Sequence, residues 1–198
     1  MTDAGEGTHR PRPLEGVRVL DLTRVLSGPH CTRMLCDLGA EVIKVEPPDG
    51  DSTRFANPRV NSMSGYFVQQ NAGKRNVSLD MSTPTGKELL LSMAEHCDVL
   101  VENFRPGVTD RMGIGYVAVS ARNPSIVYAS ISGYGQTGPW VHRRAYAPVV
   151  GAEAGSTQLQ GDARGGHYAN DPMSHADVYT GMECASAILA ALFQRERT

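Results

Sequence analysis

From residue 17 onward, short apolar and β-branched runs alternate with stretches of helical spacing, and this alternation narrows the fold more than any other feature. Residues 17–22 (VRVLDL) read as a strand, 29–38 as a helix with Met34, Leu35 and Leu38 on one face and Gly39 as its stop, and 41–46 (EVIKVE) as a second strand. Three prolines make 47–64 a loop, and 76–79 reads as a strand. Ser82, Thr83 and Pro84 then open a helix running to Cys97, with proline early, where its missing N–H costs little. Residues 98–102 (DVLVE) and 126–130 (IVYAS) are further strands, separated by short helical pieces at 106–112 and 117–122. The stretch 133–172 reads mostly as loop, with one helix near 148–154. Val178, Met182, Ala185, Leu189 and Leu192 then repeat at helical spacing and predict a long terminal helix of about 20 residues. Strands that alternate with helices imply βαβ units and hence an α/β fold with a mostly parallel sheet.

Composition excludes several classes. With 198 residues the chain suffices for one sizeable domain, and 40% hydrophobic with 20% charged residues is globular rather than disordered. The first 12 residues, without an apolar segment, read as a disordered polar tail ahead of a single domain over 13–198. A formal net charge of -2 supplies no field to hold a polyanion, so no nucleic-acid partner is expected. The longest wholly apolar run, 187–193, is too short to span a bilayer, so no membrane partner is expected. Four cysteines, none in a CxxC pair, read as reduced, partly buried thiols of a cytoplasmic protein, and the six histidines show no metal-binding spacing.

Few motifs carry chemistry unaided. Gly133 to Gly138 (GYGQTG) matches the GxGxxG of dinucleotide-binding folds and follows a strand. Yet Pro139, Trp140 and three basic or histidine side chains come next, not the amphipathic helix that would hold a pyrophosphate, so NAD is not expected. Basic residues gather at Lys74-Arg75, Arg105/Arg111 and Arg143-Arg144. Each pair reads by default as solvated surface, but at the C-terminal ends of parallel strands such residues can hold a phosphorylated ligand. Asp177 opens the terminal helix. Its plain reading is an N-cap, worth about 1 kcal/mol. Its chemical reading is a carboxylate nucleophile kept ionised by the helix dipole, with Gly181 one turn on leaving room for a ligand.

Several blocks together resemble the family III CoA-transferases, the group of formyl-CoA transferase and the carnitine CoA-transferases. They are 13–22 (PLEGVRVLDL), 39–48 (GAEVIKVEPP), Asn71 with Lys74-Arg75 and Leu79-Asp80, 101–107 (VENFRPG), 132–139 (SGYGQTGP), and Ala190-Ala191-Leu192 with Arg195. The similarity runs from Pro13 to Thr198 in the family's order and spacing.

The resemblance implies a Rossmann-like N-terminal portion of such an enzyme, about half the family's length, whose other half supplies a small domain and a glycine-rich loop over the active site. It implies acyl-CoA and a free carboxylic acid as substrates and no permanently bound cofactor. It also implies assembly as a homodimer or with a complementing C-terminal chain, and low activity for this chain alone. Asp177 matches the family's nucleophile, which attacks the thioester to give an acyl–aspartyl anhydride and then an aspartyl-CoA thioester. The coenzyme A contacts map onto Val25, Leu26, Ser27, Leu79, Asn103, Phe104, Arg105, Arg111 and Arg144, with the arginines suited to phosphates and Phe104 to adenine. Three positions depart from the pattern: Ala147-Pro148 follows Tyr146 where an acidic residue is usual, Gly151-Ala152 replaces Gln-Ala, and Pro47 replaces a basic residue. Two other readings remain: a non-catalytic CoA-binding subunit, and an α-methylacyl-CoA racemase, in which a histidine base would stand where Tyr146 stands.

Overall fold

The computed structural model describes residues 10–198; most of the expected tail lies outside the described residues. Five parallel strands form the central sheet: β1 Arg18–Asp21, β2 Glu41–Glu46, β5 Arg75–Ser78, β6 Val99–Glu102 and β7 Val127–Ser130. Their order is β5-β2-β1-β6-β7. The chain therefore builds outward from β1 in one direction, returns to β6 and builds outward in the other. β1 and β6 pair with Leu20 opposite Leu100, and between them lies the switch point where α/β sheets bind ligands.

The period-two alternation of the strands supplies two cores. Val19, Val42, Val99 and Val101 face α1 (Ser27–Asp37) and the long α8 (His175–Arg195), meeting Cys31, Leu35, Ala185, Ile188 and Leu192. Leu20, Val45 and Leu100 face the other way, onto Leu90, Leu91 and Ala94 of α3 (Pro84–Ala94) and Val119 of α5 (Tyr116–Arg122). Thr83 caps α3 by accepting from the Gly86 N–H, with Pro84 in the first turn as its spacing predicts. By length and composition α8 could cross a membrane. Its Gly181, Ala185, Ile188 and Leu192 face is instead buried in this core.

The sequence reading needs correction in two connecting regions. The stretch 47–64 holds a 3-10 turn at Ser52–Phe55 and a hairpin of β3 (Arg59–Val60) and β4 (Met63–Ser64), and it leads into α2 (Gly65–Asn71), capped by Ser64. Beyond β7, α6 (Ala147–Glu153) fits the expected helix, but α7 (Ser156–Ala163) occupies part of what read as loop. The remaining short helix, α4, spans Val108–Met112. Among the described residues the four cysteines are free, and no group of His, Cys, Asp and Glu has the geometry to hold a metal.

Candidate active site

The segment leaving β1 is held from every side. Asp21, buried at the end of β1, accepts from the Thr23 N–H at 2.9 Å and from the Thr32 hydroxyl at 2.7 Å. Lys74 reaches the same carboxylate at 3.0 Å from under α1. Burial alone would push the Asp21 carboxyl up, but the Lys74 and Lys44 charges and the two threonine hydroxyls outweigh it and hold its pKa below the usual value. One residue on, the Asn103 amide pairs with both backbone groups of Arg24, accepting from its N–H at 2.9 Å and donating to its carbonyl at 2.8 Å. That bond joins the loop after β1 to the loop after β6, directly above the switch point.

Around this joint lies a cavity of about 410 Å³. Its walls come from the loops after β1, β6 and β7, from 141–150, and from the first turn of α8. Val25, Leu26, Ser27, Asn103, Phe104, Arg105, Arg144 and Asp177 all line it, so eight of the ten expected site residues meet in one place. Leu79 and Arg111 do not. Leu79 is half-buried beside Asp80 and Met81, which line a second cavity of about 460 Å³, and Arg111 is exposed on α4 beside Gly107. The two cavities share Arg24, Ser52 and Phe104, and the Arg24 guanidinium stacks over the Phe104 ring at 5.0 Å.

Asp177 is not the helix cap. It is the third residue of α8; Ser174 occupies the N-cap position, and the first helical N–H, that of His175, donates at 2.6 Å to Asp171 in the turn before the helix. The Asp177 carboxyl is half-buried at the cavity wall, with the Ser27 hydroxyl and the Ala147 N–H near enough to favour its ionised form. Burial outweighs both and raises its pKa above the usual carboxylate value. Nor does Gly181 leave space for a ligand. A Cβ there would lie 2.6 Å from the Ser27 carbonyl oxygen, so the glycine lets α8 press against the start of α1 and brings Asp177 to Ser27.

The basic pairs separate. Lys74 is spent on Asp21, and Arg75 pairs with Glu41 at the surface. Arg143, on the cavity wall, is tied to Glu153 at 3.0 Å and lies over the Trp140 ring. Arg24, Arg105 and Arg144 also line the cavity, and Arg24 was not among the expected contacts. The GYGQTG turn leads into turns at 139–143 rather than a helix, and a Cβ on Gly133 would meet that of Ala145, so its first glycine serves close packing. Tyr66 escaped the sequence reading entirely. Burial first, then the Asp177 charge, raises its phenol pKa, which puts α2 within electrostatic reach of the site.

Residues 14–198 match the sequence model of CoA-transferase family III. The chain belongs to that family. It is 45% identical over 193 residues to the succinyl-CoA:glutarate CoA-transferase of Mus musculus, a match covering 94% of this chain and 43% of the relative. To the formyl-CoA:oxalate CoA-transferase of Streptomyces avermitilis it is 44% identical over 190 residues, covering 94% and 46%. The crystal structure of a CAIB/BAIF family protein from Brucella suis superposes with a TM-score of 0.89 at 38% identity, over 95% of this chain and 51% of that one. Rv3272 from Mycobacterium tuberculosis gives a TM-score of 0.88 at 38% identity, over 96% and 53%. The chain thus spans about half the length of the family members it matches.

Proposed function

We propose that the cavity binds an acyl-CoA and that Asp177 is its nucleophile, in a CoA transfer to a free carboxylic acid. The reading rests on one observation: a carboxyl relieved of helix capping, half-buried, facing a cavity that the loops after β1 and β6 and the arginines Arg105 and Arg144 also line. In the first step a carboxylate oxygen of Asp177 attacks the thioester carbonyl, the C–S bond breaks, and an acyl–aspartyl anhydride and CoA thiolate form. The thiolate then attacks the aspartyl carbonyl, releasing the acyl group as a carboxylate and leaving an aspartyl-CoA thioester. The acceptor acid runs both steps in reverse. A carboxylate suits this exchange because each intermediate lies close in energy to the substrate thioester.

The residues divide the work. Arg105 and Arg144, which have no ion-pair partner among the described residues, answer phosphate charge. Phe104, at the junction of the cavities, offers the adenine an apolar face, and the second cavity beside Leu79 gives the nucleotide end room among Leu22, Val45 and Met81. The Ser27 hydroxyl and Ala147 N–H orient the Asp177 carboxylate. Asn103, its amide committed to Arg24, shapes the site rather than binding the ligand.

The racemase reading lacks its base. No histidine lines the cavity among the described residues, and Tyr146, 66% exposed, offers a phenol where that reading needs an imidazole. The first half-reaction tests the proposal. Mixing the protein, together with a polypeptide supplying the other half of a family relative, with excess acyl-CoA should release one equivalent of the acyl group as its free carboxylate while the CoA stays on the protein as a thioester, and Asp177→Asn should abolish the release. Equal release from the variant would refute it.

A further inference from the structure

Of the residues shaping the cavity, Val25 has the costliest backbone. It is a β-branched residue at φ 70, in the left-handed region that such side chains avoid. A conformation of this kind persists only where its surroundings over-determine it. Its neighbours Arg24, Leu26 and Ser27 line the cavity with it, so its geometry sets the shape of the wall that adjoins Asp177 at Ser27.

Beneath the turn lies a buried ion pair with no part in the proposed chemistry. Lys44, one of the largest fully buried side chains, projects from β2, and its ammonium lies 3.3 Å from the Asp51 carboxylate, with both side chains 1% exposed. The same ammonium donates to the Thr23 carbonyl at 2.6 Å, and the same carboxylate accepts from the Val25 N–H at 3.3 Å. The pair therefore grips the turn on both sides of Arg24, whose own backbone Asn103 holds. Asp51 is fixed in turn: it accepts from the Thr53 N–H at 3.0 Å, and its backbone N–H donates at 2.7 Å to Glu46, which Arg54 clamps through two bonds. Burying an ion pair contributes little net stability by itself, yet this one meets the N–H of the strained residue itself and the carbonyl of Thr23 just before it.

We infer that Lys44 and Asp51 are positioning residues, whose buried ion pair holds the Val25 turn in its ligand-ready conformation before any ligand arrives. The inference extends the proposed acyl-CoA site but does not depend on it for its test. The experiment is amide hydrogen exchange on the unliganded protein, comparing the parent with Lys44→Met/Asp51→Asn, which removes both charges at nearly constant shape. Exchange over 24–27 should accelerate at least tenfold, while the β1 and β6 amides keep parental protection. A general structural role would loosen the strands as well, and unchanged exchange over 24–27 would equally overturn the inference. Should the double variant not fold, Lys44→Gln/Asp51→Asn, which also removes both charges but keeps polar side chains beneath the turn, is read the same way. Calorimetry with coenzyme A then separates the two ideas. Tenfold weaker binding by the variant than by the parent is the expected result. A parent that does not bind contradicts the functional reading, with the exchange result still deciding the role of the pair; equal binding despite faster exchange would overturn the ligand-ready part of the inference.

Discussion

Replacing Gly181 with alanine tests how Asp177 is brought to its place. At an unhindered helix site the change would stabilise the protein by about 1 kcal/mol, since alanine is the better helix former. Here the new Cβ falls 2.6 Å from the Ser27 carbonyl oxygen and 3.3 Å from the Cys31 amide nitrogen. Both are backbone atoms at the start of α1 and cannot swing aside like the end of a side chain. Relief requires α8 to move from α1 by a substantial fraction of an ångström, an overpacking that costs about 1–3 kcal/mol. Subtracting the propensity gain leaves a net loss of up to about 2 kcal/mol. At about 2–4 °C per kcal/mol for a chain of this size, the midpoint of thermal unfolding should fall by several degrees. The same shift separates Asp177 from the Ser27 hydroxyl. Urea and thermal unfolding of parent and variant measure the effect. A variant more stable than the parent would refute the close approach of the two helices.

Other expectations follow from the same geometry. Asp177→Asn should leave the fold intact and raise stability at neutral pH. Because the folded-state pKa of Asp177 is raised, its ionised form weakens the folded state above that pKa, and the gain should fade as pH falls through it toward the ordinary carboxylate value; thermal scans against pH follow this. Lys74→Met strands the Asp21 carboxylate in the core and should cost about 3–5 kcal/mol in urea unfolding. Asp21 has the opposite pH sign: its folded pKa is depressed, so its contribution is present above the ordinary carboxylate value and lost as pH falls below it through the depressed one. Asn103→Ala should speed exchange of the Arg24 amide in the unliganded protein, and an unchanged rate would return Asn103 to the ligand contacts.

What could be read from the sequence follows what each residue's own neighbours determine. The strands 41–46 and 98–102 and the helix of Val178, Ala185 and Leu192 emerge almost to the residue, because period and burial agree along each of them. α7 does not, because it has no apolar stripe to read: Leu159 is 72% exposed and Gly161 is the helix's buried residue. α2 is short and stands on its Ser64 cap and on Arg54 packed over the Phe67 ring, a contact between separate elements. The Ser64 cap was the signal that would have revealed it. Resemblance located the loops at 25–27 and 103–105, but it could not tell that Asn103 grips backbone or that Gly181 admits a helix instead of a ligand. The pairs Lys74–Asp21 and Lys44–Asp51 join different elements, and only the folded topology brings them together.

Covalent trapping shows whether Asp177 itself carries the acyl group. The protein, together with a polypeptide supplying the remaining length of a family relative, is incubated with acyl-CoA, quenched with hydroxylamine, and its peptides are read by mass spectrometry. A hydroxamate should form on Asp177 of the parent and none in Asp177→Asn. A parent without label at Asp177, or the same label elsewhere in both proteins, would contradict it.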